Sequence, residues 1–167
     1  MLTVEALRRI LGLTPHPVEG GYFVETYRSE ERLPATGLPS RYGAPRALGT
    51  AIYYLLTPDT FSALHRLASD EIFHFYLGDP VEMLQLHPDG SHQVLLIGPD
   101  LEAGQRPQVI VPRHVWQGAR LIPGGRYALL GTTVAPAFDY ADYETAPRAT
   151  LLTTHPAAQA LILALTR

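Results

Sequence analysis

The stretch HRLASDEIFHFYLG, His65 to Gly78, places two histidines and two acids ahead of a run of aromatic and aliphatic residues. Its reading decides the fold. Read as a helix, Glu71 and His74 form the ExxH pair of di-iron bundles. The chain holds no second ExxH, and IFHFY is made of the aromatic and β-branched residues that favour strands. Read as a strand, Glu71, Phe73 and Phe75 share one face and His74 takes the other. A tight connection over Leu67–Asp70 then sets the strand ending at His65 antiparallel to the one beginning at Glu71. The two residues stand opposite each other, with Cβ atoms about 4.5 to 5.5 Å apart. An imidazole and a carboxylate so placed either hydrogen-bond or clasp one ion.

Outward from this stretch the chain is punctuated by 14 glycines and 15 prolines, with β-branched and aromatic runs between them. Nine strands are expected: Tyr22–Tyr27, Thr50–Leu56, Ser62–His65, Glu71–Leu77, Val81–Leu86, Gln93–Ile97, Gln108–Val111, Gln117–Leu121 and Tyr127–Val134. HPDGS between the fifth and sixth is a hairpin turn, with Pro88 presetting φ and Gly90 free to take φ > 0. At the start, Leu7, Ile10 and Leu11 recur at helical spacing between a Thr3 cap and Gly12. The tail HPAAQALILALTR reads as a closing helix with Pro156 in its first turn. Arg28 to Arg46 shows no periodicity and reads as a surface loop or lid. Many short strands without helical crossovers define an all-β antiparallel sandwich or barrel, with short helices at both termini, as a single domain over residues 1–167.

Composition narrows the chemistry. Hydrophobic residues make up 46% and charged ones 17% of 167 residues, as in a globular domain with a sizeable core. All 13 basic residues are arginines and cysteine is absent. That excludes a thiolate nucleophile, a disulfide, cysteine-bound zinc, a lysine Schiff base and a P-loop lysine. A net charge of -3 offers no field for nucleic acid. Arg8 and Arg9 interrupt the first apolar run, and no run reaches the length of a membrane span, so neither a signal peptide nor membrane insertion is expected and the location expected is cytoplasmic.

Two strands, TAIYYLL and EIFHFYL, do not alternate cleanly between apolar and polar positions. Both their faces should therefore be covered, one by the barrel interior and the other by a terminal segment or a second subunit. A homodimer is the expected state.

His65, Leu67, Glu71 and Gly78 stand at the spacing of the motif HxHx3Ex6G, and Pro112, His114 and Gln117 at that of PxGx2H. These are the two motifs of the cupin superfamily. Together with EGGYFVETYRS, GQRPQVIVPRHVWQGA and TVAPAFDYADYE, they make nearly the whole chain resemble a cupin subfamily of largely unassigned function. The resemblance implies a double-stranded β-helix (the cupin jelly roll), a dimer, and an architecture similar to that of dTDP-sugar epimerases. Within this pattern Phe73 stands where tryptophan is usual, and His114 and Ala137 stand for glycines. Metal-binding cupins use three histidines and one glutamate, whereas here Leu67 and Gln117 replace two of the histidines. No tightly held cofactor is expected; His65, Glu71 and Gln117 are the candidates for a weakly bound divalent metal.

What remains is a polar cluster in an apolar barrel, the usual form of a small-molecule site. His65 is the candidate base, with Glu71 setting its tautomer. Gln117 and Trp116 are candidate substrate contacts, and Glu25, Tyr27 and Arg28 are candidates for the pocket mouth. The epimerases that the fold resembles use a histidine base and a tyrosine acid; among Tyr53, Tyr54, Tyr76 and Tyr127 the sequence does not choose. Arg66, next to His65, should point outward into an ion pair. His16, His87, His92, His114 and His155 have no partner at ligand spacing. Two functions stay open: a metal-independent isomerase or epimerase moving a proton on a sugar or keto acid, and a non-catalytic binder of a small ligand, with a weakly metal-dependent enzyme as a variant of the first.

Overall fold

The structure is a computed structural model describing residues 2–167. In chain order its helices and strands are α1 (Val4–Leu11), β1 (Thr14–Pro15), β2 (Tyr22–Arg28), β3 (Arg32–Leu33), β4 (Arg46–Ala47), β5 (Thr50–Leu56), β6 (Phe61–Arg66), β7 (Asp70–Gly78), β8 (Val81–Leu86), β9 (His92–Ile97), β10 (Gln108–Val111), β11 (Trp116–Leu121), β12 (Ala128–Ala135), β13 (Glu144–Thr145), α2 (Arg148–Thr154) and α3 (Gln159–Ala164). The nine expected strands are all present, each within one residue of its expected bounds. β8 and β9 form the hairpin across HPDGS, where Gly90 takes φ 86°.

The strands build two antiparallel sheets, one in the order β1-β2-β5-β12-β7-β10 and the other β13-β6-β11-β8-β9. Their inner faces enclose a core that includes Leu56, Phe73, Met83, Ala119 and Leu130. This is the all-β jelly roll. α1 begins where the Thr3 hydroxyl accepts from the Ala6 N–H at 3.2 Å and ends at Gly12, φ 69°. Its Leu7 packs with Leu55, Tyr127 and Leu129 against the outer face of the first sheet, while Ile10, counted in the same stripe, lies 63% exposed. A terminal segment thus covers part of the outer face, as TAIYYLL required. The tail helix is present as expected, with Pro156 in its first turn, a 3-10 turn over Pro156–Ala158 that runs directly into α3, and α2 precedes it as a helix the sequence had not announced. Arg28 to Arg46 is more ordered than a plain loop, since β3 pairs with β4 and Arg46 is buried against Asp142.

The pairing of β6 with β7 is where sequence and structure part. β6 lies in the second sheet and β7 in the first, so His65 pairs with Gln117 and Thr145, and Glu71 with Val111 and Val134. Residues 67–69 form a corner between sheets instead of a hairpin turn. The corner is fixed by the His114 N–H donating to the Leu67 carbonyl (2.9 Å) and by Tyr42 and Ser69, whose hydroxyls are 2.8 Å apart. His114 takes φ 65°, in the left-handed region that favours glycine, the residue the motif has at this position. At Gly78, φ 105°, a Cβ would collide with the Tyr127 carbonyl, which explains the motif's last position.

Candidate functional site

A cavity of about 310 Å³ opens at one end of the sandwich. β2, β5, β7 and β12 contribute one wall, the end of β6 the other, and the segment Phe138–Tyr140 crosses its mouth. Phe23, Ile52, Leu67 and Val134 make its surface largely apolar, with a few convergent polar groups.

His65 and Glu71 both face this cavity and both are buried, 2% and 7% exposed. They meet across the gap between sheets, and no hydrogen bond joins them among the described residues. The Glu71 carboxylate instead accepts from the Gln117 amide at 2.6 Å. The tautomer of His65 is set by the backbone: Nδ1 lies 2.8 Å from the Ala63 carbonyl, which can only accept, so Nδ1 carries the proton and Nε2 bears a lone pair. Glu71 is thus a neighbour of the base and not its orienter. Burial pushes the Glu71 carboxyl up to about 6, against the opposing pull of His65 and the Gln117 hydrogen bond and with help from the negative charge of Glu19.

The carboxylate nearest to the lone pair is one the sequence reading passed over. Glu19 Oε2 lies 3.8 Å from His65 Nε2 and 3.9 Å from His16 Nε2, while Glu19 Oε1 accepts from the Ser62 hydroxyl. His16 accepts the Glu19 N–H at Nδ1 (2.8 Å), so its proton sits on Nε2. Burial holds the His16 pKa below the usual imidazole value. Both residues line the cavity. Their only sequence signal was HPVEGG itself, with an imidazole and a carboxylate at i, i+3 in a segment held by proline and turned by glycine. Gly20 takes φ 106°, and a Cβ there would strike the Phe61 carbonyl.

The remaining candidates divide. Glu25 and Arg28 line the mouth as expected, joined at 2.7 Å, with Arg28 also donating to the Phe138 carbonyl. Tyr27 points the other way and is 57% exposed, because a bulge after Glu25 shifts the register and reverses the face. Gln117 is buried and reaches the site through Glu71 without lining the cavity, and its Oε1 lacks a hydrogen-bond partner. Trp116 is not in the site. As the neighbour of an inward-facing residue it faces outward, packing near α2 and α3 with the Arg66 guanidinium 4.4 Å from its ring centroid. Arg66 also pairs with Glu144 at 2.7 Å, the outward role expected of it.

None of Tyr53, Tyr54, Tyr76 and Tyr127 lines the cavity, and Tyr127 lies just ahead of β12. Tyr54 is buried, donates to the Gly20 carbonyl at 2.8 Å, and so supports the Glu19 turn. The tyrosines at the site come from the crossing segment: Tyr140 lines the cavity, and Tyr143 stacks on His65 at 4.8 Å between ring centroids. Burial pushes the phenols of both Tyr140 and Tyr143 up, so both carry their protons at neutral pH.

The donor set does not fit the metal that the superfamily motif implies. Leu67 offers no ligand atom, and the Gln117 amide turns its N–H to Glu71. Among the described residues no three His, Asp or Glu side chains converge as a metal site. No helix among them is long and apolar enough to cross a membrane.

Jelly-roll strands bearing both motif spacings around a largely apolar cavity with a few convergent polar groups define a cupin. The chain belongs to the family described as "Cupin superfamily (DUF985)", whose model matches residues 5–146. It is 33% identical to a structurally determined protein of Shewanella oneidensis, covering 100% of this chain and 99% of that one with a TM-score of 0.86. A hypothetical protein from Leishmania major is 31% identical, with 99% of both chains covered and a TM-score of 0.87. An uncharacterized protein of Saccharomyces cerevisiae is 32% identical over 133 residues, 75% of this chain, and the chain spans 66% of that relative's length. Bacillus subtilis oxalate decarboxylase shares the fold alone, at 12% identity and a TM-score of 0.53.

Proposed function

We propose that the protein binds a small, uncharged, sugar-like carbonyl compound in this cavity and moves a proton at it, with His65 Nε2 as the base. The observation that carries the reading is the hydrogen bond from His65 Nδ1 to the Ala63 carbonyl, which leaves Nε2 as an acceptor at the cavity wall beside the Glu19 carboxylate. Such a carboxylate stabilises the imidazolium formed when the base takes a proton. Charge selects between the two substrate types suggested by the sequence. Among the described residues Arg28 is the one arginine lining the cavity and is engaged by Glu25 and Phe138, whereas Glu19, Glu71 and Asp139 line it too. A keto acid finds no free cation there among the described residues; a polyhydroxylated carbonyl compound finds acceptors for its hydroxyls.

The test is deuterium incorporation from heavy water next to the carbonyl in a panel of free aldoses, ketoses and keto acids. The reading expects exchange into sugars that His65→Ala abolishes and the exposed control His92→Ala retains. Saturable binding without exchange would make the protein a non-catalytic binder, and divalent metal at stoichiometric occupancy in untagged protein would favour a metal-dependent enzyme.

We also infer a homodimer formed by the outer face of the first sheet. Tyr27, Ala51, Thr133, Ile72 and Ile110 form one outward row across β2, β5, β12, β7 and β10, and Tyr27 and Ile110 are each 57% exposed. Apolar groups in such a row favour burial against a second copy. Light scattering should show a dimer that Ile110→Glu dissociates; a monomeric wild type at micromolar concentration overturns the inference.

A further inference from the structure

The cavity holds two imidazoles, and the backbone fixes them in opposite states. His65 gives its Nδ1 proton to the Ala63 carbonyl and presents a bare Nε2. His16 receives the Glu19 N–H at Nδ1 and presents an Nε2–H. The imidazole of His16 is 5% exposed and lines the cavity, and its Nε2 lies 3.9 Å from Glu19 Oε2, beyond hydrogen-bond reach, so this donor is left for whatever enters the cavity.

We propose that His16 is the electrophilic partner of His65, its Nε2–H holding the substrate's carbonyl oxygen while His65 works on the neighbouring carbon. The proposal rests on the proton-transfer reading above and extends it. His65 Nε2 takes the proton from the carbon, and the C–H electron pair becomes the C=C bond of an enolate. The negative charge collects on the oxygen that His16 hydrogen-bonds. The Glu19 carboxylate, 3.8 Å from His65, balances the imidazolium, and the proton, or one exchanged with solvent, then returns to carbon. No oxidant or other co-reactant is needed. A neutral imidazole suits this role because it donates without first giving up a charge.

Neutrality is built into the surroundings. Phe23 packs on the His16 ring at 4.6 Å and Tyr140 stands at 6.3 Å. Burial outweighs the pull of the Glu19 carboxylate toward the imidazolium, and Arg167, which reaches in to donate to the Val18 and Glu19 carbonyls, opposes it as well.

His16→Asn is the decisive variant, because its side-chain oxygen can replace Nδ1 as acceptor for the Glu19 N–H while the Nε2–H is removed. With hydroxyacetone, dihydroxyacetone and D-fructose as probes, its deuterium exchange should fall on the order of 10²-fold, the usual cost of losing one oxyanion donor. The exposed control His92→Ala should stay within a few-fold of wild type. Loss of exchange in Tyr140→Phe with His16→Asn unchanged assigns the donor to the tyrosine and overturns the proposal. Loss in His65→Ala alone leaves the function standing without this partner. Nitrogen NMR of histidine-labelled wild-type protein decides independently of any substrate. Near neutral pH, His16 should be protonated at Nε2 only; His16 found charged, or bare at Nε2, refutes the assignment. A wild type that exchanges none of the probes counts against the parent function, with the NMR result still deciding the state of His16.

Discussion

Glu71→Gln should make the protein more stable than wild type at alkaline pH and leave it nearly unchanged in acid. The Glu71 carboxyl sits at about 6 in the fold, against an ordinary value of 4.5. Because the folded value is the higher one, the fold prefers the protonated acid; this contribution is complete below pH 4.5 and lost as pH rises through about 6. The difference is worth about 2 kcal/mol, so ionised Glu71 costs that much at pH 8. Glutamine copies the neutral acid, and its oxygen can still accept from Gln117. Urea unfolding of both proteins at pH 4 and pH 8 reads the effect, since titrating groups that do not touch Glu71 cancel in the comparison. The stability of the variant relative to wild type should rise by about 2 kcal/mol between the two pH values, or about 4–8 °C in Tm for a chain of this size. A relative stability that does not change with pH, or falls as pH rises, refutes the buried placement of this carboxyl.

Other outcomes follow from the same contacts. Gln117→Leu removes the donor to ionised Glu71 and should raise its titration midpoint by about one pH unit, read by carbon NMR of the labelled carboxyl. Arg46 and Asp142, 4% and 8% exposed and paired at 2.6 Å, tie the segment crossing the cavity to the barrel. Arg46→Ala should cost about 3 kcal/mol in chemical denaturation by leaving a buried charge unpaired, and Arg46→Met with Asp142→Leu should cost less than either single change. Gly78→Ala combines a positive φ with a collision at the Tyr127 carbonyl and should lose about 2 kcal/mol or more in the same assay.

The strands were legible because their cues are local: β-branched and aromatic runs, the HPDGS turn, the Thr3 cap and the Gly12 stop. Which sheet each strand joins was not, since LASD can turn a hairpin or round a corner, and hydrogen bonds from His114 and among Tyr42, Ser69 and Ala68 decide for the corner. His65, Glu71, Glu25 and Arg28 were found by spacing and alternation. Tyr27 was misplaced by a one-residue bulge that no composition announces, and Trp116 by its adjacency to Gln117, which on a strand guarantees the opposite face. His16 and Glu19 lie in coil, where no periodicity exists to read. They reach the cavity through tertiary contacts, with Ser62 holding the Glu19 side chain and Arg167 its backbone.

The account turns on one proton. Nitrogen NMR of His65 reads it directly, and the Ala63 carbonyl predicts that the neutral ring keeps its proton on Nδ1, with Nε2 bare and shifting when a sugar-like ligand binds. A proton on Nε2, or a bare Nε2 indifferent to every ligand that enters the cavity, would contradict the assignment of His65 as the base.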